Sequence, residues 1–133
     1  MRGYEADSYG DAFADVYDDW YAGITDVGVT VRTIAALAGS GGTVLELGTG
    51  TGRLAVPLAD AGLAVTGIDT STAMLDRLAA RDPGERVTVV VGDMVDDLPA
   101  GPFDLAFVAY NTIFNLLTEQ RQRACFAAVA AAL

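Results

Sequence analysis

The segment Val44-Leu-Glu-Leu-Gly-Thr-Gly-Thr-Gly-Arg53 constrains the fold of this chain more than any other. An apolar run carrying one acid, Glu46, is followed by glycines at 48, 50 and 52 and then by helix-forming residues. That order predicts a strand, a tight turn and a helix. Glycine has no Cβ and adopts dihedrals closed to other residues, so such a turn lets backbone come close to a ligand. The helix start behind it exposes N–H groups without intrahelical partners. The arrangement suits an adenosine-type cofactor. A dinucleotide fingerprint would need G-x-G-x-x-G. Here the third glycine position is Arg53, and the glycine comes one residue early, at Gly52.

The rest of the chain alternates in the same way. Residues 1–21 hold six acids and six of the eleven aromatics. Phe13, Val16, Tyr17 and Trp20 fall at helical spacing, and Ile24, Val27, Val31, Ile34 and Ala38 repeat it beyond Gly23. Strands are expected at about 43–47, 64–68, 86–91 and 103–108, each largely apolar and the third strongly β-branched. Helices are expected at about 52–61, with Pro57 kinking it near its start, and after a cap at Thr70 or Ser71, with Met74, Leu75 and Leu78 on one face. A last helix runs from about Glu119, with Cys125, Phe126, Val129 and Leu133 on one side. Near-continuous apolar strands separated by helices predict an α/β fold, a parallel sheet covered on both faces.

Composition removes several chemistries. The chain has no lysine and no histidine, and its eight cations are scattered arginines. Schiff-base chemistry, histidine bases and histidine metal ligands are therefore excluded. Cys125 is the only cysteine, so neither an internal disulfide nor a cysteine zinc site can form, and no metal site is expected. A net charge of −10 argues against nucleic acid as a partner. The acidic N-terminus lacks a signal-peptide core, and the apolar run from Ala124 to Leu133 is too short to span a bilayer. The expectation is a cytoplasmic protein with no membrane partner.

In an open parallel sheet, ligands bind beyond the carboxyl ends of the strands. The first strand delivers Glu46 and the glycine turn there. The second delivers Asp69, the third Gly92, Asp93 and Met94, and the fourth Ala109, Tyr110 and Asn111. Three successive acids beside glycine-rich backbone read as a binding rim.

The segments VLELGTGTGRLAVPLA, VTGIDTSTAML, VTVVVGDMVDDLP and FDLAFVAYNTIFNLLTEQRQRACFAAVAAAL, in this order, resemble those of class I S-adenosylmethionine-dependent methyltransferases. The resemblance covers residues 12–133 and is nearest to small-molecule enzymes of actinobacterial type. It implies a Rossmann-like, doubly wound domain over residues 41–133 and an N-terminal helical lid over 1–40. It implies S-adenosylmethionine as cofactor, with S-adenosylhomocysteine as product. Cofactor contacts are implied for Glu46, Gly48, Thr49, Gly50, Gly52, Asp69, Thr70, Met74, Gly92, Asp93, Met94 and Ala109. Among these, Asp69 would accept from the ribose hydroxyls and Asp93 from the adenine amino group, while Glu46 lies near the cofactor's amino end. Acceptor-side candidates are Tyr17, Tyr21, Tyr110 and Asn111, with Tyr9 and Trp20 as further lid aromatics. The implied reaction is in-line methyl transfer to a small molecule, for which the protein positions and desolvates the reactants.

The sheet of the family has seven strands in the order 3-2-1-4-5-7-6. The expected order here is 3-2-1-4, with strands five to seven missing and strand four an exposed apolar edge. That edge predicts a dimer or larger homo-oligomer. A second reading is a non-catalytic cofactor-binding or scaffolding half that needs another chain. A nicotinamide-dependent oxidoreductase is a weaker third, because Arg53 occupies the third glycine position.

Overall fold

The computed structural model describes residues 26–109 and 112–133. The predicted helix around Phe13–Trp20 and the acceptor-side candidates Tyr17, Tyr21, Tyr110 and Asn111 lie outside the described residues, as do Tyr9 and Trp20. In chain order the elements are α1 (Val27–Ala38), β1 (Thr43–Leu47), α2 (Ala55–Asp60), β2 (Ala64–Asp69), α3 (Thr72–Arg81), β3 (Thr88–Val91), β4 (Leu105–Val108), a 3-10 turn (Thr112–Asn115) and α4 (Glu119–Ala132).

The four strands form one parallel sheet in the order β3-β2-β1-β4. β1 is central, and Leu45 lies opposite Thr66 on one side and Ala106 on the other. Side chains alternate across a strand, so β1 serves two cores. Val44 joins Val65, Leu105 and Phe107 in a cluster with Ile34 of α1, Leu58 of α2 and Leu78 of α3. Leu45 and Leu47 join Ile68, Ala106 and Val108 in a second cluster with Leu116, which precedes α4, and with Cys125 and Val129 of α4. Each such aliphatic side chain, when fully buried, contributes about 1.5–3 kcal/mol.

Caps set the helix boundaries. Asp26 caps α1 by accepting from Val29 N at 3.1 Å. Ser71, rather than Thr70, caps α3 through a bond from Met74 N at 3.2 Å. Thr118 caps α4 through a bond from Arg121 N at 3.1 Å. Helix α2 begins later than expected, at Ala55, after Val56 N has already bonded to Gly52 O at 3.0 Å. Pro57 therefore lies in the first turn, where its missing N–H costs little.

Strands β3 and β4 are shorter than expected because polar contacts claim their first residues. Val87 N donates to Asp82 Oδ2 at 2.8 Å, and Arg86 pairs with Asp60. Phe103 N donates to Ala132 O at 2.8 Å, and Asp104 accepts from Thr43 N at 2.9 Å. Phe126 and Leu133 depart from expectation: they are 65% and 55% exposed. The inward stripe of α4 is Cys125, Val129 and Ala132, at i, i+4 and i+7. Phe126 is one residue round the helix from Cys125 and misses it.

Gly52 has φ +79°, and a Cβ there would lie 2.7 Å from Leu78 Cγ and 3.0 Å from Val56 Cγ2. Gly52→Ala is expected to lower stability by about 1–3 kcal/mol through overpacking. Urea unfolding checks this; an unchanged midpoint would refute the close packing of the turn on α3.

Candidate cofactor site

The glycine turn is held from below by the end of β2. Gly48 N and Thr49 N both donate to Ile68 O, at 2.8 and 3.0 Å. Gly50 N donates to Asp69 Oδ2 at 2.9 Å, and the other oxygen of Asp69 accepts from Ser71 N at 2.9 Å. One carboxylate thus joins the turn after β1 to the start of α3. Gly48, Gly50 and Gly52 all have positive φ, of 67°, 59° and 79°.

These glycines do different things. A Cβ on Gly48 would strike Thr112 Cγ2 at 2.2 Å, and one on Gly52 would strike Leu78. A Cβ on Gly50 would meet nothing nearer than Met74 Cε at 3.9 Å. Gly48 and Gly52 therefore serve close packing within the protein, and Gly50 is the position where backbone is open to a ligand. Gly67, in β2, is a fourth glycine with a steric role. Its Cβ would lie 2.6 Å from Thr49 Oγ1. Nothing in the strand pattern marks that contact, which exists only because β1 and β2 pair.

Glu46 sits under the turn and is 3% exposed. The Thr49 hydroxyl donates to its Oε1 at 2.7 Å. Burial pushes the Glu46 carboxyl up to about 8; the Thr49 hydrogen bond opposes the rise, and the nearby charge of Asp69 adds to it. A small cavity of about 10 Å³, bounded by Glu46, Thr49, Thr51, Arg53, Ala109 and Thr112, adjoins this carboxyl. That is room for about one water molecule. Arg53, which marks the departure from the dinucleotide pattern, also lines this cavity, while Thr51 and Thr112 reach it by folding and have no distinct signal in the sequence.

The third acid, Asp93, follows β3. Its Oδ1 accepts from Val95 N at 2.7 Å, from Asp96 N at 3.1 Å and from Arg121 Nη2 at 2.8 Å. Burial pushes the Asp93 carboxyl up, but the two backbone N–H groups and the guanidinium outweigh it and leave it below its ordinary value. A Cβ on Gly92 would lie 2.6 Å from Asp97 Cβ, so glycine lets the Asp97 side chain cross and accept from Asp93 N at 2.7 Å. Met94 packs on the α4 side of the sheet, against the cluster around Leu45 and Cys125. Met74 is buried beneath the turn, and Thr70 is half-buried on the rim. The fold therefore gathers Glu46, the turn glycines, Asp69, Thr70, Asp93 and Ala109 along one edge. Among the described residues no cluster of three or more His, Cys, Asp or Glu could hold a metal ion, and no helix is long and apolar enough to cross a membrane.

A four-stranded 3-2-1-4 sheet with a glycine turn after β1 and acids after β2 and β3 defines a Rossmann-like nucleoside-cofactor domain. The chain belongs to the methyltransferase-domain family, which it matches over residues 44–133. The CcbJ methyltransferase of Streptomyces caelestis superposes with a TM-score of 0.89 at 40% identity, covering 98% of this chain and 55% of that one. The glycopeptide N-methyltransferase MtfA, solved with S-adenosylmethionine, superposes with a TM-score of 0.70 at 31% identity, covering 82% and 50%. The cypemycin N-terminal methyltransferase of a Streptomyces species is 39% identical over 83 residues, which are 62% of this chain and 34% of that protein. The chain spans about half the length of the curated relatives it matches.

Glu46 gives a pH test of the site. A carboxyl raised from 4.5 to about 8 on folding holds more protons in the native than in the unfolded state between those values. The contribution of Glu46 to stability is therefore fully present below about 4.5 and is lost as pH rises through about 8. Glu46→Gln is expected to flatten this decline, as followed by thermal unfolding across the range. An equal slope in both proteins would show that Glu46 ionises normally.

Proposed function

We propose that this chain binds S-adenosylmethionine along the rim and transfers its methyl group to a small acceptor bearing an amine. The observation that carries the reading is the Gly50–Asp69–Ser71 bridge, which presents an anchored carboxylate beside open glycine backbone. An ionised carboxylate is an acceptor only, so Asp69, half-buried on the rim, suits the ribose hydroxyls. Gly50 allows the close approach. Asp93 reads the adenine amino group through the oxygen its own loop does not use. Glu46, at the cavity under the turn, meets the ammonium end, where an arriving cation favours the ionised carboxylate.

The bound cofactor supplies the activated methyl group. The protein's own part is to align the acceptor and exclude water. With neither lysine nor histidine in the chain, a proton acceptor must be Asp, Glu or Tyr. An amine places less demand on such a base than an alcohol does, which fits the N-methyltransferase names of MtfA and the cypemycin enzyme. Tyr17, Tyr21, Tyr110 and Asn111 are the acceptor-side candidates, with residues 1–40 as the lid. The net charge of −10 favours a small acceptor over nucleic acid. The methyltransferase names of the relatives count against a purely scaffolding role.

Calorimetric titration with S-adenosylhomocysteine tests the reading. Micromolar binding is expected, with Asp69→Ala raising Kd about 100-fold through loss of two charge-assisted bonds. A folded wild-type chain that does not bind would defeat it. β4 is paired only with β1 among the described residues, and we propose that a second copy covers its free edge. Light scattering at micromolar concentration is expected to give a dimer, and a monomer would rule the pairing out.

A further inference from the structure

The loop after β3 meets the first turn of α4 through one cation. Arg121 Nη2 donates to Asp93 Oδ1 at 2.8 Å, and Nη1 reaches both oxygens of Asp96 at 3.3 Å. The Thr118 cap binds the Arg121 backbone N–H, which fixes where this side chain starts. Arg123, two residues on, pairs among the described residues with Glu119 of its own helix, and both side chains are largely exposed. Arg121 differs in that it ties α4 to a loop 28 residues earlier in the chain. Partly exposed ion pairs add little stability, so its geometry calls for another explanation.

That explanation lies in how Asp93 is held. Val95 N, Asp96 N and Arg121 Nη2 all converge on Oδ1. A carboxylate clamped through one oxygen presents the other in a set direction. Ionised, that oxygen is an acceptor only. It attracts an amino group and repels a carbonyl oxygen at the same place. The Asp93 side chain is 23% exposed, which leaves it open to a ligand.

We propose that Arg121 is a positioning residue for purine recognition: by clamping Oδ1 of Asp93 it aims Oδ2 at the base and makes the site select a 6-amino over a 6-oxo purine. The proposal rests on the cofactor reading above. It gives α4 a part in selectivity although the helix itself lies behind the rim.

The test is calorimetry on the full chain with S-adenosylhomocysteine and its 6-oxo counterpart, S-inosylhomocysteine. Wild-type protein is expected to prefer the amino form. Arg121→Gln is expected to raise Kd for S-adenosylhomocysteine about tenfold while barely changing that for the 6-oxo ligand. Arg121→Lys, which keeps a cation but cannot fork to two acids, should recover part of the preference and serves if the glutamine variant folds poorly. Arg123→Gln should match wild type. Asp93→Asn, which can turn a donor toward the base, should shift the preference toward the 6-oxo ligand. Equal weakening of both ligands by Arg121→Gln, or an unchanged preference, would overturn the positioning role while leaving the cofactor reading intact. A wild-type chain that binds the two ligands equally would overturn the role of Arg121 alone, whereas a folded chain that binds neither would overturn the cofactor reading and the role of Arg121 with it.

Discussion

Asp69 is where the two halves of the site are joined. Its carboxylate takes Gly50 N–H with one oxygen and Ser71 N–H with the other, while the Ile68 carbonyl beside it takes Gly48 N–H and Thr49 N–H. Four backbone donors in two tight turns are thus satisfied by two adjacent residues at the end of β2. Unpaired, each would carry a desolvation cost of about 1–3 kcal/mol if buried. The left-handed glycines follow from the same contacts, because the turn must double back to bring those N–H groups onto β2. The position of the rim therefore depends on the β1–β2 register, which sets Leu47 opposite Ile68.

Much of this was legible from local pattern. The extent of β1, the order of elements and the acids at the ends of β2 and β3 follow from hydrophobic runs bounded by glycine and aspartate. What local pattern could not show is whatever depends on a distant partner. Phe126 reads as core by period, yet the stripe that meets the sheet runs through Cys125, Val129 and Ala132. Arg86 and Phe103 read as strand, but Asp60 and the Ala132 carbonyl draw them away. The three turn glycines look equivalent in sequence. Only the positions of Thr112 and Leu78 separate two packing glycines from the one open at Gly50. Arg121 has no sequence signal, since its partners Asp93 and Asp96 lie in the loop after β3.

The rim also carries an electrostatic tension that bears on its chemistry. Three acids are gathered on one edge, and each is handled differently. Asp69 is offset by two backbone N–H groups, and Asp93 by two N–H groups and a guanidinium. Glu46 receives one hydroxyl bond and is otherwise buried, so its charged form is disfavoured. Functional sites keep groups of this kind at some cost in stability. A buried carboxyl that resists ionisation alone is stabilised in its charged form by any cation that enters the adjoining cavity. The energy withheld in the free protein is recovered when such a ligand binds, and a neutral ligand of the same shape recovers none of it. On the proposed cofactor reading Glu46 would contribute selectivity for a cationic ligand and Asp93 selectivity for the base, while Asp69 holds the glycine turn to the start of α3.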